Sequence, residues 1–409
     1  MSFFLKRRSE AALAFILITV ALDMLALGVM VPVLPKLIEE FNGGNLHDAS
    51  TIVGLFGFSW ALMQFLAQPV AGALSDRYGR RPIVLLSNVG VGLDYLVMAL
   101  APSLTVLYIG RLLNGVCSAS FSTASAYITD ITPPEKRAAR LGLIGAFFGL
   151  GFILGPAIGG LLGQYGLRLP FYASAALSLT NALYGYFILP ESLPPEKRTP
   201  TLRWRSANIV GAIKMLRSDS KLALLSIAIF LSFLAHESLP SIFVLYTDYR
   251  FHWDAATTGW ALTLVGVSQT IVSGGLVRPA VKKLGESGAI VTALAFGAAG
   301  FCVFAFAPTG AIFLGAPPLI ALWAMANPAF QGLASRFASA SEQGRLQGAI
   351  ASLRGVSGMI GPLFFTQILA ASIAANSLAG ASYMVAALLL AVSLLVALAA
   401  TRGGPDKAV

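Results

Sequence analysis

GALSDRYGRRP, Gly72 to Pro82, sets one acid and three arginines between two long apolar runs. Each flanking run is long enough to cross a hydrocarbon core of about 30 Å, which takes about 20 helical residues. A dense charge cluster between two such runs is a loop held at a membrane surface. The same alternation recurs along the whole chain, which is 56% hydrophobic and 11% charged over 409 residues, with a mean hydropathy of +0.77. Twelve spans are expected, at about 13–35, 50–74, 82–102, 105–128, 139–163, 170–190, 222–246, 257–280, 288–308, 311–335, 345–372 and 378–401. Helices of a large soluble protein would carry polar faces, and these runs do not. The fold class is therefore an all-α integral membrane protein.

The net charge of +10 suggests a nucleic-acid partner only until the charges are placed. Of 28 Lys and Arg, Arg111 and Arg354 fall within spans, and Lys36, Arg168 and Arg250 fall on one side. The other 23 share the opposite side with both termini, which the positive-inside rule makes cytoplasmic. The basic balance reports topology, and no nucleic acid is implied. The first run follows Lys6, Arg7 and Arg8 but continues through Asp23 to Pro32 and Pro35 without a small-residue cleavage site, so it is a retained helix. Cys117 and Cys302 lie inside separate spans and fit neither a disulfide framework nor a metal site; packing roles are expected.

Within the opening stretch, any basic residues would hold the loop inside, so the rest of the pattern needs its own reasons. Gly72 is expected to let a helix end approach a neighbour. Gly79 supplies a positive φ, and Asp76 is an anion able to face an arginine or a helix N-terminus. Gly72, Asp76, Arg77, Gly79, Arg80 and Arg81 stand at the spacing G-x-x-x-D-R-x-G-R-[KR], and the sequence here resembles the major facilitator superfamily. The resemblance implies two pseudo-symmetric six-helix bundles, placed at 1–190 and 222–409 and joined by a basic cytoplasmic linker, 191–221. That linker is either solvated or bound to anionic headgroups. Asp130, before PPEKR, is expected to join Asp76 and Arg77 in a cytoplasmic charge network.

In the fifth span, GLGFILGPAIGG carries small residues at intervals of four, a smooth stripe for close helix contact, and Pro156 removes a backbone hydrogen bond. Gly151, Gly155, Pro156, Gly159 and Gly160 resemble the antiporter motif of the drug/proton exchangers in that superfamily. GVSGMIGP, ending at Pro362, echoes the stripe in the eleventh span, as duplication of a six-helix unit would. The second copy of the loop motif, at Arg278, Lys282, Lys283, Gly285 and Glu286, is degenerate.

Leu22 to Leu37, Trp60 to Ser87, Leu93 to Leu96 and Gln343 to Phe365 together look like tetracycline efflux carriers. The resemblance departs in the second half: Gln269 stands where those carriers have an eighth-helix histidine, and Gly297 to Gly300 holds no acid.

Ionisable residues inside a membrane are costly and are functional candidates. Asp23, Asp94, Arg111, His236 and Glu237 are those candidates, for proton coupling. Asp23 and Asp94 match acidic positions of the resembled family, and Arg111, in GRLLNG, matches its fourth-helix R-x-x-x-G motif. Either acid is alternatively a static partner of Arg111, and His236 is alternatively an ordinary packed imidazole. Gln64, Asn88, Tyr95, Asn114, Ser241 and Gln331 are the expected substrate contacts, polar anchors among apolar walls. No nucleotide-binding loop, nucleophile constellation or protein metal site is present in the sequence, so neither an enzyme nor a cofactor is expected. Mg²⁺ enters only as a chelate carried with substrate. The expectation is a monomeric drug/proton antiporter of the bacterial inner membrane. A proton-coupled uptake carrier for a metabolite and a non-transporting membrane sensor stay open.

Overall fold

The computed structural model describes residues 2–118, 120–199, 215–216, 219–339 and 342–401, and among these there are helices and connections but no strand. Much of the basic linker, 200–214, lies outside the described residues. Helices α1 (Ser2–Met30) and α2 (Leu34–Phe41) make the first crossing, followed by α3 (Leu46–Tyr78) and α4 (Arg80–Leu100). Next come α5 (Leu104–Cys117), α6 (Ser120–Asp130), α7 (Pro134–Tyr165) and α8 (Leu169–Ile188). The second half holds α9 (Ser220–His236), α10 (Ser238–Phe251), α11 (Ala255–Ile271) and, past a π-turn at Val272–Leu276, α12 (Val277–Phe306). Short α13 (Gly310–Leu314) and α14 (Pro317–Leu322) lead to α15 (Ala326–Ser335), α16 (Gln343–Ala374) and α17 (Ala381–Thr401).

Local chemistry sets several of these ends. The chain leaves α3 at Gly79, whose φ of +106° a side chain would resist. Asp219 caps α9 by accepting from the amides of Lys221 (2.7 Å) and Leu222 (3.0 Å). Ser103 accepts from the Val106 amide at the start of α5.

Among the described residues, ten helical stretches are long and apolar enough to cross a membrane. One of them, Ala255–Phe306, has 52 residues, about twice a crossing, and turns at Gly285 (φ +70°). The 20-residue α8 is a further helix of crossing length. Twelve spans are consistent with this arrangement. Leu86, Phe187 and Leu395 are more than half exposed, apolar surface that a bilayer covers and water would not.

The chain forms two compact units. The first takes in Met1–Asn45, Ser59–Ser206 and Trp253–Thr263; the second takes in Leu46–Phe58, Ala207–His252 and Leu264–Val409. The first has a core of Phe15, Ile16 and Val20 from α1 with Val84, Tyr127, Ile128 and Ile144. There α8 is pinned to α1 through Ser174, which donates to the Ala26 carbonyl (2.9 Å), and through Thr19, which donates to Asn181 (3.2 Å). The second has an aromatic core, with Phe304 stacked on Phe313 at 4.0 Å and Tyr246 edge-on to Tyr383 at 5.0 Å. Cys117 is half-buried against Gly90, but Cys302 is exposed and is not a packing residue of the chain's interior.

Candidate functional site

In the first unit, α4 and α5 bring a carboxylate and a guanidinium out of solvent. Asp94 is 2% exposed and Arg111 8%. They feel each other electrostatically but form no ion pair. Asp94 instead accepts a hydrogen bond on Oδ2 from Asn114 Nδ2 at 2.7 Å, and its Oδ1 has no partner. Asn114 is committed on both sides, since its carbonyl accepts from Trp60 Nε1 (2.9 Å) and from the Ser118 hydroxyl (3.2 Å). Arg111 lies 4.7 Å over the Trp60 ring, a cation–π contact, and one of its terminal nitrogens faces the Met30 sulfur at 3.8 Å. A burial of this kind leaves each charge only partly satisfied, since Asp94 Oδ1 and Arg111 Nε have no hydrogen-bond partner. Gly110 supports the site: a Cβ there would press on Met98 at 2.6 Å and on Asp94 Oδ1 at 3.1 Å. Asp23, half-buried on α1, is within electrostatic reach of Tyr95.

At the charged loop, Arg80 is the hub. It donates from Nη1 to Asp76 (2.6 Å) and Ser75 (2.6 Å), and from Nε to Asp130 (3.1 Å). Arg77, expected in that network, is exposed and lies 5.2 Å from the Tyr78 ring. The turn at Gly79 explains the difference, because it carries Arg80 back under the end of α3 while Arg77 points outward from it. Arg81 donates to the Tyr186 carbonyl at 2.6 Å. Glu191, just past α8, accepts from the Arg80, Ser192 and Leu193 amides (2.8, 3.0 and 3.1 Å). Its carboxylate occupies the space a Cβ on Gly79 would need. At Gly72, by contrast, a Cβ would meet nothing within 4 Å.

The glycine stripe of α7 packs as its spacing implies. A Cβ on Gly155 would sit 2.6 Å from the Gly28 Cα; one on Gly151 or Gly159 would strike the backbone of Ala21 or Val29. Gly160 faces the opposite way, where a Cβ would meet the Ala255 carbonyl at 2.5 Å and the Ala256 Cα at 3.0 Å. Thr263 on α11 donates to the Ile153 carbonyl at 3.0 Å. Pro156 lies within the stripe, and a Cβ on Gly259 of α11 would strike its carbonyl.

In the second unit, His236 and Glu237 stand where α9 gives way to α10. The His236 ring packs on Trp323 at 5.6 Å, and Trp323 donates to Ser232 at 3.1 Å. Glu237 is half-buried, within electrostatic reach of Arg354. Among the described residues, no cluster of three or more His, Cys, Asp or Glu is arranged to hold a metal ion.

A family model for the Major Facilitator Superfamily matches residues 16–362. The chain belongs to the major facilitator superfamily. It is 38% identical to the class C tetracycline resistance protein of Escherichia coli, over 97% of this chain and 98% of that protein. It is 34% identical to the class H tetracycline resistance protein of Pasteurella multocida, over 98% and 99%. In fold it is similar to the crystal structure of the nucleoside transporter NupG, with a TM-score of 0.77 at 13% identity, covering 96% of this chain and all of that one. As a multi-pass member of a transporter superfamily, the chain has a lipid bilayer as its environment and a small molecule as its substrate.

Within this superfamily member, the expected polar contacts divide between the units. Gln64, Asn88, Tyr95 and Asn114 are in the first, and Ser241 and Gln331 are in the second. Asn88 and Tyr95 are almost wholly buried, and the Asn88 amide nitrogen and the Ser241 hydroxyl lack partners. Gln331 donates to Asn327 at 3.2 Å. Sequence reasoning missed Trp60, Glu191 and Arg354. Trp60 shares a helix face with Gln64, one turn on, and Arg354 is a guanidinium inside a span; both signals were in the sequence.

Proposed function

We propose that the chain exports amphipathic drugs of the tetracycline type in exchange for protons. The similarity to tetracycline resistance proteins at 38% and 34% identity over nearly the whole chain supports the substrate class. The observation that carries the coupling is Asp94, a carboxylate 2% exposed with one oxygen hydrogen-bonded and the other open, beside a guanidinium that does not neutralise it directly. A carboxylate in that setting gains a proton or a cationic partner but not both at once, and that competition is what exchange requires. Asp94 takes the proton, Arg111 tunes its affinity, and Asp23 is the second candidate acid. The membrane potential contributes about 2.3 kcal/mol per charge per 100 mV to inward proton movement when the site lies deep in the field.

The setting proposed is the bacterial inner membrane, with both termini cytoplasmic and the chain a monomer without cofactor. Alternation runs between an N-terminal bundle, 1–190, and a C-terminal bundle, 222–409, about the linker 191–221. Asp76, Arg80, Asp130 and Glu191 hold the cytoplasmic end in one state, and the α7 glycines allow the close helix contact the cycle uses. A tetracycline travels as its Mg²⁺ chelate, the metal being cargo. The test is purified protein in liposomes with an imposed pH gradient, screened across tetracyclines and lipophilic cations. Drug movement against proton movement supports export. Co-directional movement makes the chain an uptake carrier, and no flux with any substrate makes it a sensor.

A further inference from the structure

The seventh crossing, Ser220–Phe251, is interrupted at a single residue that keeps helical dihedrals, and the interruption has a chemical cause. Pro240 has no N–H to offer the His236 carbonyl four residues back, so α9 stops at His236 and α10 resumes at Ser238. Glu237 is the residue between. Its amide turns back to the Leu234 carbonyl at 3.1 Å. The proline frees one carbonyl inside a span, and an acid, Glu237, stands next to that carbonyl.

The eleventh span is shaped to receive that acid. A Cβ on Gly361 would strike the Glu237 Cβ and lie 2.6 Å from its Cγ, and one on Gly358 would sit 3.9 Å from its Oε1. The glycine pattern that echoes the fifth span thus makes room for the Glu237 side chain, with Gly361 against its stem and Gly358 in contact with its carboxylate. Arg354 is on the same face of α16, one turn before Gly358. Its guanidinium lies 4.7 Å over the ring of Phe233, itself one turn before Glu237 on α9. Carboxylate and guanidinium are within electrostatic reach but form no ion pair. The first unit also sets an arginine over an aromatic ring, Arg111 at 4.7 Å over Trp60, with Asp94 in electrostatic reach of it but not in an ion pair.

Few other charges face the site from the helices packed on α9. On α16 there is Arg354, with Arg345 more than two turns away; α15 and α17 contribute none. On α9 itself there is His236, and Lys221 lies at the far end. Asp248 and Arg250 on α10 are about three turns beyond the break.

We infer that Glu237 and Arg354 form a second proton-binding site, carried by the second unit, so that each export cycle moves one proton more than Asp94 alone supplies. Ionised Glu237 draws Arg354 from Phe233 into an ion pair; protonated Glu237 leaves it on the ring. Arg354 is a positioning residue in this account. The inference rests on the export reading, and its test has an arm that does not.

Without drug, infrared difference spectra of the purified full chain between acid and alkaline pH should contain a carboxylic C=O band that Glu237→Gln removes. Arg354→Gln should move its titration midpoint and Arg354→Lys should restore it. With drug, proton release on tetracycline binding in weak buffer should fall by one proton per drug in Glu237→Gln, by one in Asp94→Asn, and to none in the double variant. Size-exclusion profiles and circular dichroism establish that each variant is folded, and Glu237→Asp, which keeps the carboxyl, should keep the proton. A spectrum unchanged by Glu237→Gln overturns the site. So does a folded Glu237→Gln protein that releases as many protons as wild type, or one that no longer binds drug, which would make Glu237 a substrate contact. A Glu237 band present with no drug exchange by wild type would sink the export reading and leave the proton site standing.

Discussion

Arg111 lies 4.7 Å over the Trp60 ring and makes no ion pair with Asp94, whose carboxylate is held by Asn114 at 2.7 Å. Two opposite charges are therefore buried close together with neutral groups as their immediate partners. An ion pair would fix both charges and resist titration; hydrogen bonds to a neutral amide leave the acid able to change state. Asp94→Asn is expected to bind neutral substrate but lose proton-driven accumulation in liposomes, and Asp94→Glu to keep part of it. Steep accumulation by a folded Asn variant would move the role to Asp23.

Asn114 deserves its own variant because it joins Trp60 to Asp94. A hydrogen bond to a charged group is worth about 1.5–3 kcal/mol. Asn114→Ala should reduce coupled transport roughly 10- to 100-fold if that whole interaction is used in the cycle. Initial rates of pH-driven uptake into inverted vesicles would measure it, with expression held equal. A rate within twofold of wild type would mean that the amide does not orient the acid.

At the cytoplasmic loop the geometry ranks two arginines that look alike in sequence. Arg80 binds Asp76, Ser75 and Asp130, whereas Arg77 is exposed. Arg80→Ala should therefore cut transport strongly, Arg77→Ala weakly, and Asp76→Asn should impair transport without preventing insertion, since the remaining arginines still fix topology. Drug susceptibility of cells at matched expression would give the order, and equal effects of the two arginine variants would refute the hub.

The spans were legible because a bilayer demands unbroken apolar runs, and the buried acid and arginine were legible because any ionisable residue in such a run stands out. Which groups they touch was not. Trp60 could be placed on one helix face with Gln64, but that spacing does not say that its ring will underlie a guanidinium. The choice of Arg80 over Arg77 depends on a backbone turn at Gly79 that reverses the chain. Gly72 sits at a motif position yet faces open space, so a glycine's place in a pattern did not reveal what it packs against. The boundary between the eighth and ninth spans is marked by charge, at Arg278 to Glu286, while the helix runs on to its turn at Gly285.

Asp254, outside the spans, provides a pH test. Hydrogen bonds from Thr257, side chain first and then backbone, with help from Gln164 and Lys36, hold its carboxyl below the ordinary value of 3.8. A carboxyl lowered in this way contributes stability that is complete above the unfolded value and is lost as pH falls through the lower folded one. It caps α11 through the Thr257 amide at 2.8 Å and accepts from Gln164 at 3.2 Å. The group is largely exposed, so the contribution is about 1 kcal/mol or less after solvent screening. Thermal melting of Asp254→Ala in detergent should fall below wild type at neutral pH, and the two curves should converge as pH drops beneath the carboxylate range. A constant gap across that range would exclude the charge as its source.

The α7 stripe separates glycines that are needed from those that are not. Gly155 and Gly159 press on the backbone of α1 around Gly28 and Val29, while a Cβ on Gly142 or Gly145 of the same helix would meet nothing within 4 Å. Overpacking a tight contact costs about 1–3 kcal/mol, and here the obstacle is backbone, which cannot rotate away. Gly155→Leu and Gly159→Val should lower the melting temperature and abolish exchange by forcing α1 and α7 apart. Gly142→Ala and Gly145→Ala should raise helix propensity and leave stability equal or slightly higher. Because all four substitutions add carbon to one helix, a difference between the pairs isolates the α1 contact from a general intolerance of glycine replacement. Wild-type exchange in Gly155→Leu would show that the helices can separate without loss, and the stripe would then be packing with no part in the cycle.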